Sequence, residues 1–231
     1  MSHPLVFIAS DHRECAPWVA KWEPRPAPKL PVHWVRAGVW QGQDVLAVAN
    51  GVGAAQAIGA VRAVEDLSPS AFVSIGTCGA LDPSLKLGEV FVPTQILGKD
   101  RKWTPCAISG PDARRGILIS VTRIAATAFE KSKLRATGAL AVEMESDGVA
   151  GASDRLGVPF YCVRVVSDLA GQDFANDFNK VLMSDGRFNI PALLLNAFAR
   201  PLSRIPELYF LAQRTALASK NLGDFLALCS F

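Results

Sequence analysis

Four short polar clusters in this sequence could do chemistry, and each belongs to an apolar run. "ASDHREC" places Asp11, His12, Arg13 and Glu14 behind the run at 5–9. "SIGTCGALDPSLKLGEV" (74–90) reads as a buried strand that stops at Gly76, then a small-residue turn of Thr77, Cys78 and Gly79. Such a turn lets a ligand approach the backbone. "AVEMESDG" (141–148) ends an apolar run with Glu143 and Glu145 on either side of Met144. "FYCVRVVSDLA" (160–170) breaks its own pattern. With a period of two, its Cys162, Arg164, Val166 and Asp168 point to one face.

Burying a carboxylate without a partner costs several kcal/mol. Glu143 and Glu145 therefore sit in solvent at a strand end or hold something polar. A structural pair with Arg164, and Asp168 as a helix N-cap, would account for these charges without any ligand. Against that stands their convergence. In open α/β sheets, ligands bind outside the carboxyl ends of the strands, and all four clusters fall at such ends.

The elements that must position them are short and mostly β-branched. Apolar runs recur at 5–9, 32–35, 45–50, 71–76, 89–97, 117–121, 139–143 and 160–168. Several lack clean alternation, as strands covered on both faces do. Helical stretches fall between some of them, at 51–67 and 145–157 and again after Asn179. This alternation predicts an α/β three-layer sandwich with a mixed, mostly parallel central sheet. One domain over 1–231 is expected, with 204–231 a C-terminal helical extension. On that last segment Leu208, Leu211, Thr215, Ala218 and Leu222 share a face suited to packing. "EPRPAPKLP" (23–31) reads as an extended surface loop. "NGVGAAQAIGA" has Gly51 and Gly53 but Gln56 at the third glycine position of a dinucleotide fingerprint. A tight turn into a helix, with backbone N–H groups able to cradle a small anion, fits it better.

Composition removes several function classes. With 50% hydrophobic and 19% charged residues the chain has the makings of a packed core. The net charge is +3, and neither "ARR" (113–115) nor "KSKLR" (131–135) exceeds an ordinary solvated face, so no nucleic-acid partner is expected. The five cysteines are scattered and the histidines stand apart. Buried free thiols are expected rather than zinc or disulfides, and no metal or cofactor. No stretch approaches the ~20 apolar residues of a membrane span, and the N-terminal run is too short for a signal peptide. A cytoplasmic protein is expected.

"VSIGTCGALDPSLKLGEVFVP", "AVEMES" and "VPFYCVRVVSD", in this order, resemble the nucleoside phosphorylase superfamily. The likeness covers roughly 5–200 and is strongest to its methylthioadenosine/S-adenosylhomocysteine nucleosidases and their phosphorylase relatives. "GILISVTRIAATAFEKSKLRATGALAVEMES" is similar to phosphorylase-like proteins associated with hopanoid biosynthesis. The resemblance implies an enzyme that cleaves the N-glycosidic bond of a purine nucleoside, adenine above all. Met144 would then pack on the ribose, Glu145 accept from its 2′ and 3′ hydroxyls, and Glu143 support the site's edge. Asp168 would protonate N7 of the leaving purine, with Ser167 alongside. Thr77 and Gly79 would line the sugar side, Arg164 with Glu14 would hold the attacking water, and Arg123, Ile124 and Ala125 would wall the base. Phe174 and Phe178 would either line the 5′ end or fill core. A homodimer is implied as well.

The chemistry suits these residue types. Glycosidic cleavage passes through an oxocarbenium-like state, which carboxylates stabilise, and a purine anion leaves poorly unless an acid protonates it. Two departures bear on the nucleophile. An ungapped match puts Arg13 where the first-loop acid is expected, and Glu14 takes that place if the loop is one residue longer. Arg13 would suit phosphate, yet Ser74 replaces the arginine that some phosphorylases carry before the glycine turn. Water is favoured. Phosphorolysis, including that of a lipid-linked adenosyl substrate, is the alternative, and a silent nucleoside-binding relative is the third reading.

Overall fold

The run at 5–9 forms strand β1 (Leu5–Ala9), buried throughout. In the computed structural model, which describes residues 3–231, it is followed by α1 (Ala16–Val19), β2 (Glu23–Arg25), β3 (Trp34–Trp40) and β4 (Gln43–Ala49). Next come α2 (Ala54–Val64), β5 (Ala71–Ala80), β6 (Val90–Leu97), β7 (Lys102–Trp103) and β8 (Arg114–Ser120). Then follow α3 (Ala128–Arg135), β9 (Ala141–Glu143), α4 (Ser146–Leu156) and β10 (Phe160–Asp168). The chain ends with α5 (Phe178–Val181), α6 (Ile190–Phe198) and α7 (Pro201–Leu226). Met1 and Ser2, part of the expected 1–231 domain, lie outside the described residues.

Strand β1 shows why there are three layers. Its Val6 and Ile8 face one way, into a core shared with Ala57, Val61 and Val64 of α2 and Val149 of α4. Its Leu5, Phe7 and Ala9 face the other way, against Trp18 of α1 and Leu222 and Phe225 of α7. A strand buried on both faces must be apolar at every position, and this one is. Its neighbours β4 and β5 run parallel to it, as does β10 beside β5, while the outer β3 and β2 are antiparallel.

The α/β class and the mixed sheet match expectation, but the sheet is not simply open. Strand β5 does not stop at Gly76; it runs to Ala80, so Thr77–Gly79 are strand and not turn. Its early residues lie between β1 and β10, and its end pairs Gly79 with Val142 and Ala80 with Ala141 of β9. Since β9 pairs β8, β8 pairs β6 and β6 pairs β10, these five strands close into a barrel-like ring. Small residues let β5 coil enough to serve both the ring and the open arm.

Other departures are local. "EPRPAPKLP" is not all loop, because Glu23–Arg25 make the edge strand β2, where Pro24 is tolerated. Helix α7 begins at Pro201, three residues before the expected segment. Its face divides as the pattern implied, with Leu208 and Leu211 packed on α5 and α6, and Ala218 and Leu222 in the main core. Of the cysteines, Cys106 is exposed, contrary to expectation, and the other four are buried. Among the described residues no helix is long and apolar enough to cross a membrane.

Helix α4 meets α2 at Gly148, where a Cβ would lie 2.4 Å from the Ala54 carbonyl oxygen and 2.9 Å from its Cα. Both are backbone atoms and cannot swing aside. Gly148→Ala should therefore force the helices apart and destabilise the protein by about 1–3 kcal/mol, the usual cost of overpacking. Denaturant unfolding checks this, and an unchanged midpoint would show that the helices have slack.

Candidate active site

Glu143 ends β9 at the centre of a buried network. Its Oε2 accepts from Arg164 Nη2 at 2.6 Å and from the Glu145 and Ser146 N–H groups at 2.9 and 2.8 Å. Its Oε1 accepts from the Ser146 hydroxyl at 2.5 Å. Burial alone would raise its pKa, but the Arg164 charge and the hydrogen bonds from Ser146 and Arg164 outweigh it and hold the carboxyl below its ordinary value. Arg164 is 0% exposed and also donates to Ser74 Oγ at 2.8 Å and the Val163 carbonyl at 3.0 Å. The expectation that Arg164 joins Glu14 is corrected here. Its polar contacts go to Glu143, Ser74 and Val163, and its buried Nε has no hydrogen-bond partner.

Glu145, two residues on, faces differently. Its Oε1 accepts from the Gly53 N–H at 2.8 Å, in the "NGVG" loop whose Gly51 and Gly53 have φ of 102° and 105°. The loop thus meets the chain's own Glu145 carboxyl through one backbone N–H. Burial, then the nearby Glu143 charge, push the Glu145 carboxyl up to about 8. Met144 between the two glutamates is buried.

Glu14 bridges β1 and β5. Its Oε2 accepts from the Ser10 N–H and hydroxyl at 3.0 and 2.9 Å, and its Oε1 from the Thr77 N–H and hydroxyl at 3.0 and 3.2 Å. The structure thus joins Glu14 to Thr77, as the clusters suggested. Arg13 turns away. It lies exposed in a two-point pair with Asp11, at 2.9 and 2.6 Å.

Asp168 ends β10 beside Gly79, which lies between it and Val142 of β9. It caps no helix, since α5 begins only at Phe178. Its Oδ2 accepts from the Ser167 hydroxyl at 2.9 Å, and its Oδ1 from Lys131 Nζ. Two glycines of β5 make this arrangement fit. A Cβ at Gly76 would lie 2.8 Å from Glu14 Oε1, and one at Gly79 would lie 2.8 Å from Asp168 Oδ1. The buried thiols beside them are poor nucleophiles, because burial pushes Cys162 up to about 12 and Cys78 well above its ordinary value.

The segment expected to wall the base is held through its backbone. Asn179 of α5 clamps Ile124, donating to its carbonyl at 3.0 Å and accepting from its N–H at 2.9 Å. Ala125 packs towards Leu81 and Val142, and Ile124 towards Phe178. Exposed Arg123 pairs with Glu130. Phe174 and Phe178 stack edge-on at 5.4 Å, with Phe178 in a small core of its own. An open cleft of about 520 Å³ runs beside the wall, lined by Thr122, Arg123, Asn179, Lys180 and Met183. Among the described residues no three His, Cys, Asp or Glu side chains could hold a metal ion.

Sequence reasoning missed Lys131, read as part of a solvated face. It is 1% exposed and faces Asp168. The available signal was helical spacing, since Lys131 and Leu134 share the inward side of α3. Asn179 carried no such signal.

A family model described as the phosphorylase superfamily matches residues 28–105 and 100–187. A 5′-methylthioadenosine/S-adenosylhomocysteine nucleosidase of Halalkalibacterium halodurans is 25% identical over 176 residues, 63% of this chain and 76% of that protein. Among solved structures, the S-adenosylhomocysteine nucleosidase of Streptococcus pyogenes with 5-methylthiotubericidin superposes with a TM-score of 0.74 at 17% identity. That match covers 98% of this chain and 95% of that one. The corresponding nucleosidase of Neisseria meningitidis with methylthio-immucillin-A gives 0.73 at 16% identity, over 97% and 96% of the two chains. At these identities the superpositions speak for the fold.

The raised Glu145 has a consequence for stability. A carboxyl whose pKa is higher folded than unfolded stabilises the protein while protonated, and that contribution is lost as pH rises. The window runs from the ordinary 4.5 to about 8. Glu145→Gln removes the titration, so the variant should gain in melting temperature over wild type across that window and level off above it. Thermal unfolding at a series of pH values tests this; a constant offset would refute the burial of the charge.

Proposed function

The chain belongs to the phosphorylase superfamily, and from that premise we propose that it cleaves the N-glycosidic bond of an adenine nucleoside with water as nucleophile. One observation carries the reading: Glu14 and Asp168, far apart in sequence, stand over Gly76 and Gly79 of β5, and Glu145 lies near enough to feel the Glu14 charge. The curated relative, named a nucleosidase for 5′-methylthioadenosine and S-adenosylhomocysteine, supports adenine as the base.

In this reading Glu145 accepts from the ribose diol while Met144 offers the sugar an apolar face. Glu143 serves from behind, through the N–H groups it fixes. Asp168 gives its proton to N7 as the C1′–N9 electron pair goes to the base. Water adds to C1′ and loses its proton to Glu14. The Glu14 charge favours the cationic sugar beside it. Ile124 and Ala125 flank the base, and Thr77 and Gly79 the sugar.

Two features support water over phosphate. Arg13 spends its charge on Asp11, and Arg164 on Glu143. A phosphate dianion beside Glu14 would meet a carboxylate, with both Arg13 and Arg164 already paired elsewhere. A homodimer in the cytoplasm belongs to the same reading.

The test is product analysis. The protein, incubated with adenine nucleosides in phosphate-free buffer, should release adenine and free sugar. A sugar 1-phosphate formed only with added phosphate would establish phosphorolysis instead.

A further inference from the structure

Lys131 is a buried ammonium in a place where nothing in the overall fold requires a charge. It sits one turn into α3, whose start is fixed by a capping box. Thr127 Oγ1 accepts from the Glu130 N–H at 3.1 Å, and Glu130 accepts in return from the Thr127 N–H at 3.2 Å. From there Nζ donates to Asp168 Oδ1 and to the Leu169 carbonyl at 2.7 Å, with the Gln172 carbonyl at 3.5 Å. The Phe174 ring lies 5.3 Å away. Each ammonium hydrogen thus has an acceptor, and the cation has one direction to act in. Burying an ammonium costs several kcal/mol, and an apolar residue of similar length would fill α3's inner face without that cost.

We propose that Lys131 is a positioning residue for the departing base, acting through Asp168; this rests on the reading of Asp168 as the acid. It does two things. By taking Oδ1 it fixes the carboxyl so that Oδ2 is the oxygen presented to the purine. The Ser167 hydroxyl on Oδ2 has a second acceptor, the Cys78 carbonyl at 3.2 Å, so it turns away when the base arrives. The ammonium also stabilises the carboxylate left once the proton has gone to N7. The proton passes from Oδ2 to N7 as the C1′–N9 bond breaks, and Lys131 keeps its own protons throughout. A solvent proton then resets Asp168, balancing the one that the attacking water leaves on Glu14.

The rival account is a staple, in which Lys131 merely ties α3 to the loop at 169–172. A double-mutant cycle separates them, because a residue acting through Asp168 has nothing left to act on once Asp168 no longer gives a proton. Asp168→Asn should lower kcat by about 10²–10⁴-fold with little change in KM, the usual worth of a general acid. Lys131→Met should lower kcat by about 10–10²-fold, the scale of a misplaced catalytic group, again at nearly constant KM. In the Asp168→Asn background the same change should cost less than about threefold. That double variant carries no unpaired buried charge; should Lys131→Met alone not fold, Lys131→Gln, which keeps a neutral donor for Asp168, replaces it in both backgrounds. An equal loss in both backgrounds, or a folded Lys131→Met protein with wild-type turnover, overturns the role of Lys131 and leaves the acid in place. Near-normal turnover of Asp168→Asn overturns the acid reading itself.

Discussion

The Arg164–Glu143 pair is the constraint on which the rest of the site depends. Both side chains are sealed from solvent, so removing either would strand a charge and cost about 3–5 kcal/mol. Among the described residues, Arg164 Nε alone of the pair's buried polar atoms lacks a hydrogen-bond partner. Arg164 reaches sideways to Ser74 of β5, and Glu143 reaches forward to the first N–H groups of α4. A carboxylate at a helix start also meets the positive end of the helix dipole. One ion pair therefore ties three strands together and sets the direction in which Glu145 leaves them.

Strand β5 supplies the floor. A side chain at Gly76 would displace the Glu14 carboxylate, and one at Gly79 would displace that of Asp168. The two carboxylates can share one strand because backbone alone runs beneath them. Each is then satisfied differently: Glu14 by hydroxyls and backbone N–H groups, Asp168 by a hydroxyl and a buried ammonium, Glu145 by a single loop N–H. Burial and the Glu143 charge are what hold the proton on Glu145.

Much of this was legible in the chain. The runs at 5–9 and 160–168 match β1 and β10 residue for residue. The four polar clusters do meet. What was not legible is informative. Thr77–Gly79 read as a turn because small residues usually mark one, whereas here they clear space for carboxylates. The ring stayed hidden because it depends on Gly79 and Ala80 pairing with residues of β9, a contact no local pattern encodes. Arg164 was given a place beside Glu14 by resemblance, but burial assigns it to Glu143. Lys131 was lost for a simple reason: charge on a helix normally means solvent, and only the tertiary contact with Asp168 reverses that.

The double membership of β5 also bears on the order of assembly. Its partner β1 is made before it, so the open arm of the sheet can form from strands already present. The ring cannot. It needs β9 and then β10, the last strand to be made, and loop closure must be completed before their contacts repay it. Glu143, Glu145, Arg164 and Asp168 all arrive with those two strands. Catalytic competence should thus be the final property the folding chain acquires, with no partly folded species able to act on a nucleoside before the ring has shut.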